Sequence, residues 1–150
     1  MDYTTTYIEK NFGLKANTLH GYIKAGAIVP DIDPGSGTGT SRKLSATNIV
    51  ECLILKDLMA IRLPRVLIIS MLQKIRQSEE RGNLDPISSS PGNIKILIFP
   101  EWASNDICFQ FIDGDLSDMG KYRLPNTYIV VDTKRMVRFV GLKLGLISLK

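Results

Sequence analysis

Apolar side chains recur at helical spacing in the first part of the chain. Tyr7, Ile8 and Phe12 fall on one side of a helix. Thr4 is placed to cap the start of that helix and Gly13 to end it, because glycine tolerates the left-handed backbone of a helix terminus. The pattern therefore predicts a first helix between Thr4 and Gly13.

A second helix is predicted over residues 14–25, directly after that glycine. Leu19, Tyr22 and Ile23 can face inward, and the polar side chains between them stay outside. Two short helices joined by a turn that contains glycine are typical of a helix-turn-helix. The second helix of that motif places polar side chains against base edges in the major groove of DNA.

The segment after the second helix has the pattern of a wing, a loop that projects beside a recognition helix. Residues 27–29 are a short apolar, β-like run, and residues 31–41 are mostly turn-forming types. Arg42 and Lys43 come next, just before Ser45, which is predicted to cap a third helix. The two cations are thus held at the start of a rigid element, within reach of phosphates.

Two more helices are predicted, at residues 47–61 and from Pro64 to about residue 78. Both are so rich in Ile, Leu, Val and Met that a second surface has to cover them. That surface is either a twin subunit or the C-terminal half of the chain. Residues 79–93, rich in Ser, Gly and Pro, follow as a predicted linker.

Beyond the linker, short strands are predicted at residues 94–99, 107–112 and 127–131, followed by a helix from Thr133. The first strand is apolar on both faces. The last helix is basic and carries no acid, whereas residues 79–132 hold nine acids against four bases. Charge pairing within the chain or across a dimer accounts for this asymmetry, and a second DNA contact is the alternative.

These elements predict an α+β protein in two parts. Residues 1–78 are predicted to form four helices and a wing hairpin, which together make a winged helix-turn-helix. Residues 94–150 are predicted to form a small β-sheet domain with a C-terminal helix. The role of this second part is open between dimerisation and the binding of a partner or effector.

The N-terminal half resembles the MerR family of winged helix-turn-helix regulators. The usual wording of that family runs roughly G-V-[ST]-x-x-T-L-R-x-Y-x-x-x-G-L-[IL]-x-P, followed later by R-x-Y-[ST]-x-x-[DN]-[IL]. The matching positions in this chain are Gly13, Leu14, Thr18, Leu19, Tyr22, Gly26, Ile28, Pro30, Arg42, Ser45, Asn48 and Ile49. Residues 62–66 also resemble the turn between the third and fourth helices of the family. The resemblance implies a dimeric DNA-binding regulator.

The chain departs from the family pattern at several positions. His20 stands where arginine is usual, Leu44 where tyrosine is, Lys15 where a small hydroxyl cap is and Glu9 where alanine is. The family's dimeric coiled coil needs a heptad run, which the C-terminal half lacks. Dimerisation would therefore use the apolar helices or the sheet. The cysteine and histidine clusters of metal-sensing members are also missing from the sequence.

The formal net charge of +4 is concentrated in the first half of the chain. Residues 1–78 hold ten Lys or Arg against six Asp or Glu, whereas residues 79–150 hold nine of each. Cations that neutralise phosphates supply the sequence-independent part of DNA affinity. The surplus of positive charge therefore lies in the half of the chain that is predicted to bind DNA.

The sequence offers little for catalysis, metal binding or membrane insertion. One histidine with Cys52 and Cys108 cannot make the usual four-ligand cage, and the glycine-rich loop at residues 35–40 lacks the Gly-Lys-Ser/Thr of a phosphate loop. The most apolar region, residues 66–75, is too short to cross a bilayer. We expect no enzyme activity, no cofactor and no metal, in a soluble cytoplasmic protein.

The predicted function is that of a homodimeric, sequence-specific transcriptional regulator bound to double-stranded DNA. The predicted DNA-binding residues are Asn17, Thr18 and His20 for base edges or adjacent phosphates, Tyr22 and Lys24 for the backbone, Arg42 and Lys43 on the wing, and Lys15. The alternative is an antitoxin-type interaction module, whose C-terminal part binds a protein partner and whose DNA binding is autoregulatory. A small-ligand sensor with a pocket under the sheet is a third interpretation.

Overall fold

The computed structural model describes residues 2–35, 41–88, 94–100, 107–113 and 129–148. Those residues form an α+β fold, which confirms the predicted class. In chain order the elements are helices α1 (Thr5–Phe12), α2 (Ala16–Lys24), α3 (Ala46–Ala60) and α4 (Arg65–Gln77), a 3-10 helix (Glu79–Leu84), strands β1 (Ile94–Pro100), β2 (Ile107–Asp113) and β3 (Ile129–Asp132), and helix α5 (Thr133–Lys143). Residues 127 and 128 of the third predicted strand lie outside the described residues.

Caps and a glycine define the turn between α1 and α2. The Thr4 hydroxyl accepts a backbone N–H from the first turn of α1 at 3.1 Å, and Gly13 ends the helix with a φ of 72°. Lys15 precedes α2 without a side-chain cap. Instead, the Glu9 carboxylate accepts the Ala16 N–H at 3.2 Å, and a negative charge is favourable at a helix N-terminus. A side chain of α1 thus stabilises the start of α2.

The prediction of a β-like run at residues 27–29 is wrong, because these residues form no strand. The Ala27 N–H donates to the Tyr22 carbonyl at 3.0 Å, so this residue belongs to the closure of α2. Ile28 is completely buried. The apolar character of Ala27 and Ile28 reflects burial in the core and not strand pairing, whereas Val29 is exposed.

Strand-like pairing occurs later, around the segment that we call the 31–44 loop. Asp33 and Lys43 exchange two backbone hydrogen bonds of 3.1 and 2.9 Å, and Leu44 pairs in the same way with Tyr3 at 2.9 and 2.8 Å. Because consecutive residues of a strand bond toward opposite sides, the end of the loop lies between its own beginning and the N-terminal segment. Of the turn-rich segment at residues 31–41 that is predicted to form a hairpin tip, residues 36–40 lie outside the described residues.

Helices α3 and α4 lie within one residue of their predicted bounds. Ser45 and Asn48 form a reciprocal capping box at the start of α3. Most of α3 is buried, and α5 packs against it. Among the described residues the C-terminal half therefore covers this helix, which is one of the two covering surfaces that its composition predicted.

Part of the predicted linker is folded. Residues 79–84 form the 3-10 helix, in which Leu84 is buried and Arg81 contacts Glu51 of α3 at 2.6 Å. These long-range contacts stabilise a segment whose composition alone is typical of a loop. Residues 89–93 lie outside the described residues.

The sheet has the strand order β2-β1-β3, with both pairings antiparallel. Ile96 in the central strand lies opposite Phe111 of β2 and Val131 of β3. Leu97, which points to the other face, is also buried. Burial on both faces confirms the prediction that β1 is apolar on both sides.

The described residues share a large hydrophobic core that joins the two predicted parts of the chain. It includes Ile8 of α1, Leu55 of α3, Ile96 of β1 and Val140 of α5. The sheet and α5 are therefore packed onto the helical part. Within the described ranges, no helix combines the length and apolar character needed to cross a bilayer.

Candidate nucleic-acid interface

Three of the six predicted contact residues in and just before helix α2 are exposed to solvent. Lys15, Asn17 and Lys24 are exposed, and Thr18 and His20 are half-buried. At a rise of 1.5 Å per residue, the Cα atoms of Lys15 and Lys24 are about 13 Å apart along the helix axis. The two lysines therefore stand at opposite ends of the helix.

The His20 ring is held by the first residue of α1. Its Nε2 forms a 3.0 Å hydrogen bond with the Thr5 hydroxyl, and the proton's position depends on the tautomer. This contact fixes the ring against α1 and leaves Nδ1 as the nitrogen available to an outside partner. His20 is therefore positioned more rigidly than an exposed histidine.

Tyr22 packs into the core, and only 7% of its surface is exposed. The Arg65 guanidinium lies over the ring, 5.2 Å from its centroid, and donates to the Gly21 carbonyl at 3.2 Å. Cation–π contact and burial give this tyrosine a packing role that fastens α2 to α4. Because so little of Tyr22 is exposed, the structure gives no support to its predicted contact with the DNA backbone.

The two predicted wing cations differ in their surroundings. Lys43 is exposed and forms a 2.9 Å ion pair with Asp2, whereas Arg42 is half-buried. The hydrogen bond and charge of each partner raise the pKa of Lys43 and lower the pKa of Asp2. Because both groups are exposed to solvent, a phosphate can replace Asp2 as the partner of Lys43 at little cost.

The N-terminal segment connects the 31–44 loop with α2. Asp2 is paired with Lys43, and three residues later Thr5 is bonded to His20. Three residues span at most about 11 Å, so the loop base and the middle of α2 lie on neighbouring parts of the molecule. The N-terminal segment thus links the two predicted DNA-contacting segments.

The base of the 31–44 loop is held by Asn48 from the first turn of α3. Asn48 has no exposed surface, and its side chain uses its full hydrogen-bonding capacity. Its Oδ1 accepts the backbone N–H groups of Asp31 at 2.9 Å and Ser45 at 3.1 Å. Its Nδ2 donates to the Val29 carbonyl at 3.0 Å and to Glu51 at 2.8 Å. One buried amide thus joins both ends of the loop to α3.

A charged network extends this arrangement to α4 and to the 3-10 helix. Arg81 donates to Glu51 and to Asp31, both at 2.6 Å. Arg76 donates to Asp31 at 3.0 Å and lies 3.9 Å from Glu51. We call these four residues, together with Asn48, the polar cluster. It connects the base of the loop with three helical segments.

The pKa of Asp31 reflects the balance of forces in the polar cluster. Burial by itself raises this pKa, but hydrogen bonds from Arg81, Ser45 and Arg76 outweigh burial and place the pKa below its usual value. The Asp31 carboxylate therefore stays charged at neutral pH. As a charged acceptor it holds the base of the 31–44 loop to Arg76 and Arg81.

The polar cluster was not predicted from the sequence, although one signal was present. Glu51 lies between Val50 and Cys52 in the most apolar helix, and only 3% of its side chain is exposed. A carboxylate at a buried helix position needs charged or hydrogen-bonding partners. The pattern indicates that partners exist, but not that they come from residues 31, 76 and 81.

Cys52 and the pocket under the sheet add little reactivity or binding capacity to this surface. Cys52 is completely buried, and desolvation together with the Glu51 charge raises its thiol pKa well above the usual value. A pocket lined by Ile54, Ile75, Ser78, Leu84, Ile96, Phe111 and Thr133 lies under the sheet, with a volume of about 10 Å³. That volume holds about one water molecule, so in this conformation it does not suit a small-ligand effector. Within the described ranges no three His, Cys, Asp or Glu residues are grouped to hold a metal ion.

The chain matches no protein-family model, and no curated protein matches it significantly. The case for its function therefore depends on the residues and their arrangement.

Proposed function

We propose that this chain is a sequence-specific transcriptional regulator that binds double-stranded DNA as a homodimer. In this proposal residues 1–78 act as a MerR-like winged helix-turn-helix, with α2 as the recognition helix and the 31–44 loop as the wing. The observation that carries the proposal is the N-terminal segment, residues 2–5. It contacts the loop and α2 at once and so supports their joint use on one duplex.

Helix α2 supplies side chains of the types that read DNA. Asn17 lies in its first turn and is exposed, and an asparagine amide can make two hydrogen bonds to the edge of adenine. Lys15 and Lys24 stand at the two ends of the helix, where they reach phosphates on either side of the groove. The partial positive charge of the helix N-terminus adds to the attraction near Lys15.

The loop supplies a rigid base for cations that track the backbone. Because the polar cluster fixes both ends of the loop, Arg42 and Lys43 lose little conformational freedom when they bind phosphates. Their contribution is independent of DNA sequence, since phosphate contacts position a protein without reading bases.

An exposed apolar surface supports the dimer. Val66, at the start of α4, is 80% exposed, and Ile61 in the preceding turn is also exposed. Leu63, Leu67 and Ile69 are only partly buried. A second copy of the chain covering this surface would bury apolar area and place two recognition helices on one duplex, as two half-sites require.

The test is selection of bound duplexes from a random pool at two salt concentrations, followed by affinity measurements on variants. Replacing Arg42 and Lys43 by alanine is expected to weaken binding to all sequences and to lower the salt slope by roughly two. Asn17→Ala is expected to relax sequence preference and to leave the salt slope nearly unchanged. Recovery of no enriched sequence, or an unchanged slope in the double variant, contradicts the proposal.

Asp2→Asn is a matched control for the wing. It removes the competing partner of Lys43 without touching a proposed contact, so DNA affinity is expected to rise at low salt. The double alanine variant and Asp2→Asn therefore shift affinity in opposite directions. A fall in affinity for Asp2→Asn would show that Lys43 acts through its ion pair with Asp2 and not through a phosphate contact.

A further inference from the structure

Helix α5 carries a basic surface that the proposed function does not use. Lys134, Arg135 and Arg138 are exposed, and no acid occurs within the helix. Residues three and four apart share one side of a helix, so these three side chains form a single surface, which we call the α5 basic face. Lys134 and Arg138 are about 6 Å apart along the axis, a distance that covers about two phosphates of one DNA strand.

The opposite side of α5 is anchored in the core. Val137 and Val140 are buried, and the Asp132 side chain caps the helix by accepting the Lys134 N–H at 3.0 Å. Capping and burial fix the helix in position and orientation. The α5 basic face is therefore a rigid surface.

The C-terminal end of α5 meets the turn between α1 and α2. Lys143 donates to the Asn11 carbonyl and lies over the Phe12 ring, 4.9 Å from its centroid. Phe139 packs edge-on against the same ring, with the ring centroids 6.1 Å apart. The C-terminal end of α5 therefore packs against the end of α1, four residues before α2 begins.

The cations of this face find no acidic partner in the part of the chain that the structure describes. The ion pairs found there join Lys43 with Asp2, and Arg76 and Arg81 with Asp31 and Glu51. Intramolecular pairing of the basic helix, one of the two interpretations of the charge asymmetry, therefore gains no support from these residues. An acidic surface of a second copy of the chain and an external polyanion such as DNA both have the matching charge, and the experiment below distinguishes them.

We infer that the α5 basic face is a second DNA-backbone contact, which binds phosphates flanking the site that α2 reads. The inference depends on the proposed function and extends it by assigning a role to the C-terminal helix. The contact is electrostatic and independent of sequence. It lengthens the stretch of duplex that the protein covers without adding base recognition.

The experiment measures the affinity of the full-length chain for the selected duplex, with and without about one helical turn of added flanking DNA, over a range of salt. The test variant carries Lys134→Gln, Arg135→Gln and Arg138→Gln. Each lost phosphate contact lowers the slope by about 0.9, so for the two phosphates that the face covers we expect a decrease of about 1.8. The affinity lost between about 50 and 200 mM salt then becomes about 12-fold smaller. The gain from flanking DNA is expected to disappear, while sequence preference is kept.

Two controls separate charge from structure and from position. The variant with Lys134→Arg, Arg135→Lys and Arg138→Lys keeps all three charges and is expected to keep the wild-type slope. Lys74→Gln removes an exposed cation from α4, and its slope is also expected to stay unchanged. Circular dichroism checks that the test variant is folded.

The outcomes also separate this inference from the function on which it depends. If the wing variant lowers the slope and the α5 variant does not, the inference is wrong and the proposed function stands. If the wild-type chain binds no duplex, both are wrong. If the α5 variant loses only self-association or an acidic protein partner, with its DNA slope intact, the inference is overturned in favour of that partner.

Discussion

Breaking the polar cluster at Glu51 tests the structure most directly. Glu51→Gln keeps the shape of the side chain and removes its charge. The variant removes one of the two carboxylates that Arg81 contacts at 2.6 Å. It also places an amide N–H₂ where a carboxylate oxygen accepted a hydrogen bond from Arg81 or from Asn48. With 3% of the Glu51 side chain exposed, water cannot replace what is lost.

The expected cost follows from the burial of the two partners. Removing one member of a buried ion pair costs about 3–5 kcal/mol. The Arg81 side chain keeps 23% of its surface exposed and keeps Asp31 as a partner, which places the cost at the lower end, about 3 kcal/mol. Native domains are stable by only about 5–15 kcal/mol, so this is a large part of the total.

Urea unfolding followed by circular dichroism measures the effect. With a denaturant slope of about 2 kcal/mol per molar, a loss of about 3 kcal/mol lowers the unfolding midpoint by about 1.5 M. A double-mutant cycle with Arg81→Met isolates the pair, because the two losses are expected to be far from additive. Asp2→Asn, which breaks an ion pair between exposed groups, is the matched control and is expected to leave the midpoint unchanged.

The reasoning is refuted if Glu51→Gln moves the midpoint no more than Asp2→Asn does. It is also refuted if the losses of Glu51→Gln and Arg81→Met simply add. Either result would mean that Glu51 does not act as a buried charge bonded to Arg81.

Three further predictions concern pH, thiol reactivity and association. The folded-state pKa of Asp31 is depressed, so its stabilising effect is present above the unfolded pKa and is lost as pH falls through the folded value; the stability difference between wild type and Asp31→Asn is expected to shrink below about pH 4 in urea titrations, and a difference independent of pH contradicts this. Cys52 is buried with a raised pKa, whereas Cys108 is partly exposed; a thiol reagent is expected to label Cys52 only on unfolding, and equal labelling rates in the native protein would be evidence against its burial. Val66→Asp is expected to shift the sedimenting species toward monomer, and an unchanged mass would show that the dimer uses another surface.

Local signals predicted the elements well because their causes lie within a few residues. Thr4 and Gly13 bound α1, and the Ser45–Asn48 box starts α3, each through contacts inside one helical turn. The apolar pattern of β1 likewise gave both its position and its burial on two faces. A cap depends on residues a few positions apart, so the sequence is enough to indicate it.

Local patterns failed where distant residues decide the structure. The apolar run at residues 27–29 has the composition of a strand, but Ala27 and Ile28 are buried in the core without strand pairing. The predicted contact of Tyr22 with the DNA backbone stays a prediction, and no local pattern indicated that Arg65 from α4 covers its ring. Arg65 is far from Tyr22 in the chain, so periodicity carries no information about this contact.

The amino-acid sequence by itself determined most of the helices and strands, the caps of α1 and α3 and the basic first half of the chain. The tertiary structure decided which polar groups meet. Asp31 and Arg81 are fifty residues apart and yet form a 2.6 Å ion pair. The orientation of α5 is set by the packing of its apolar side on α3. Helix formation is stabilised within a few residues, whereas a buried charge is stable only where the complete fold brings its partners and excludes water.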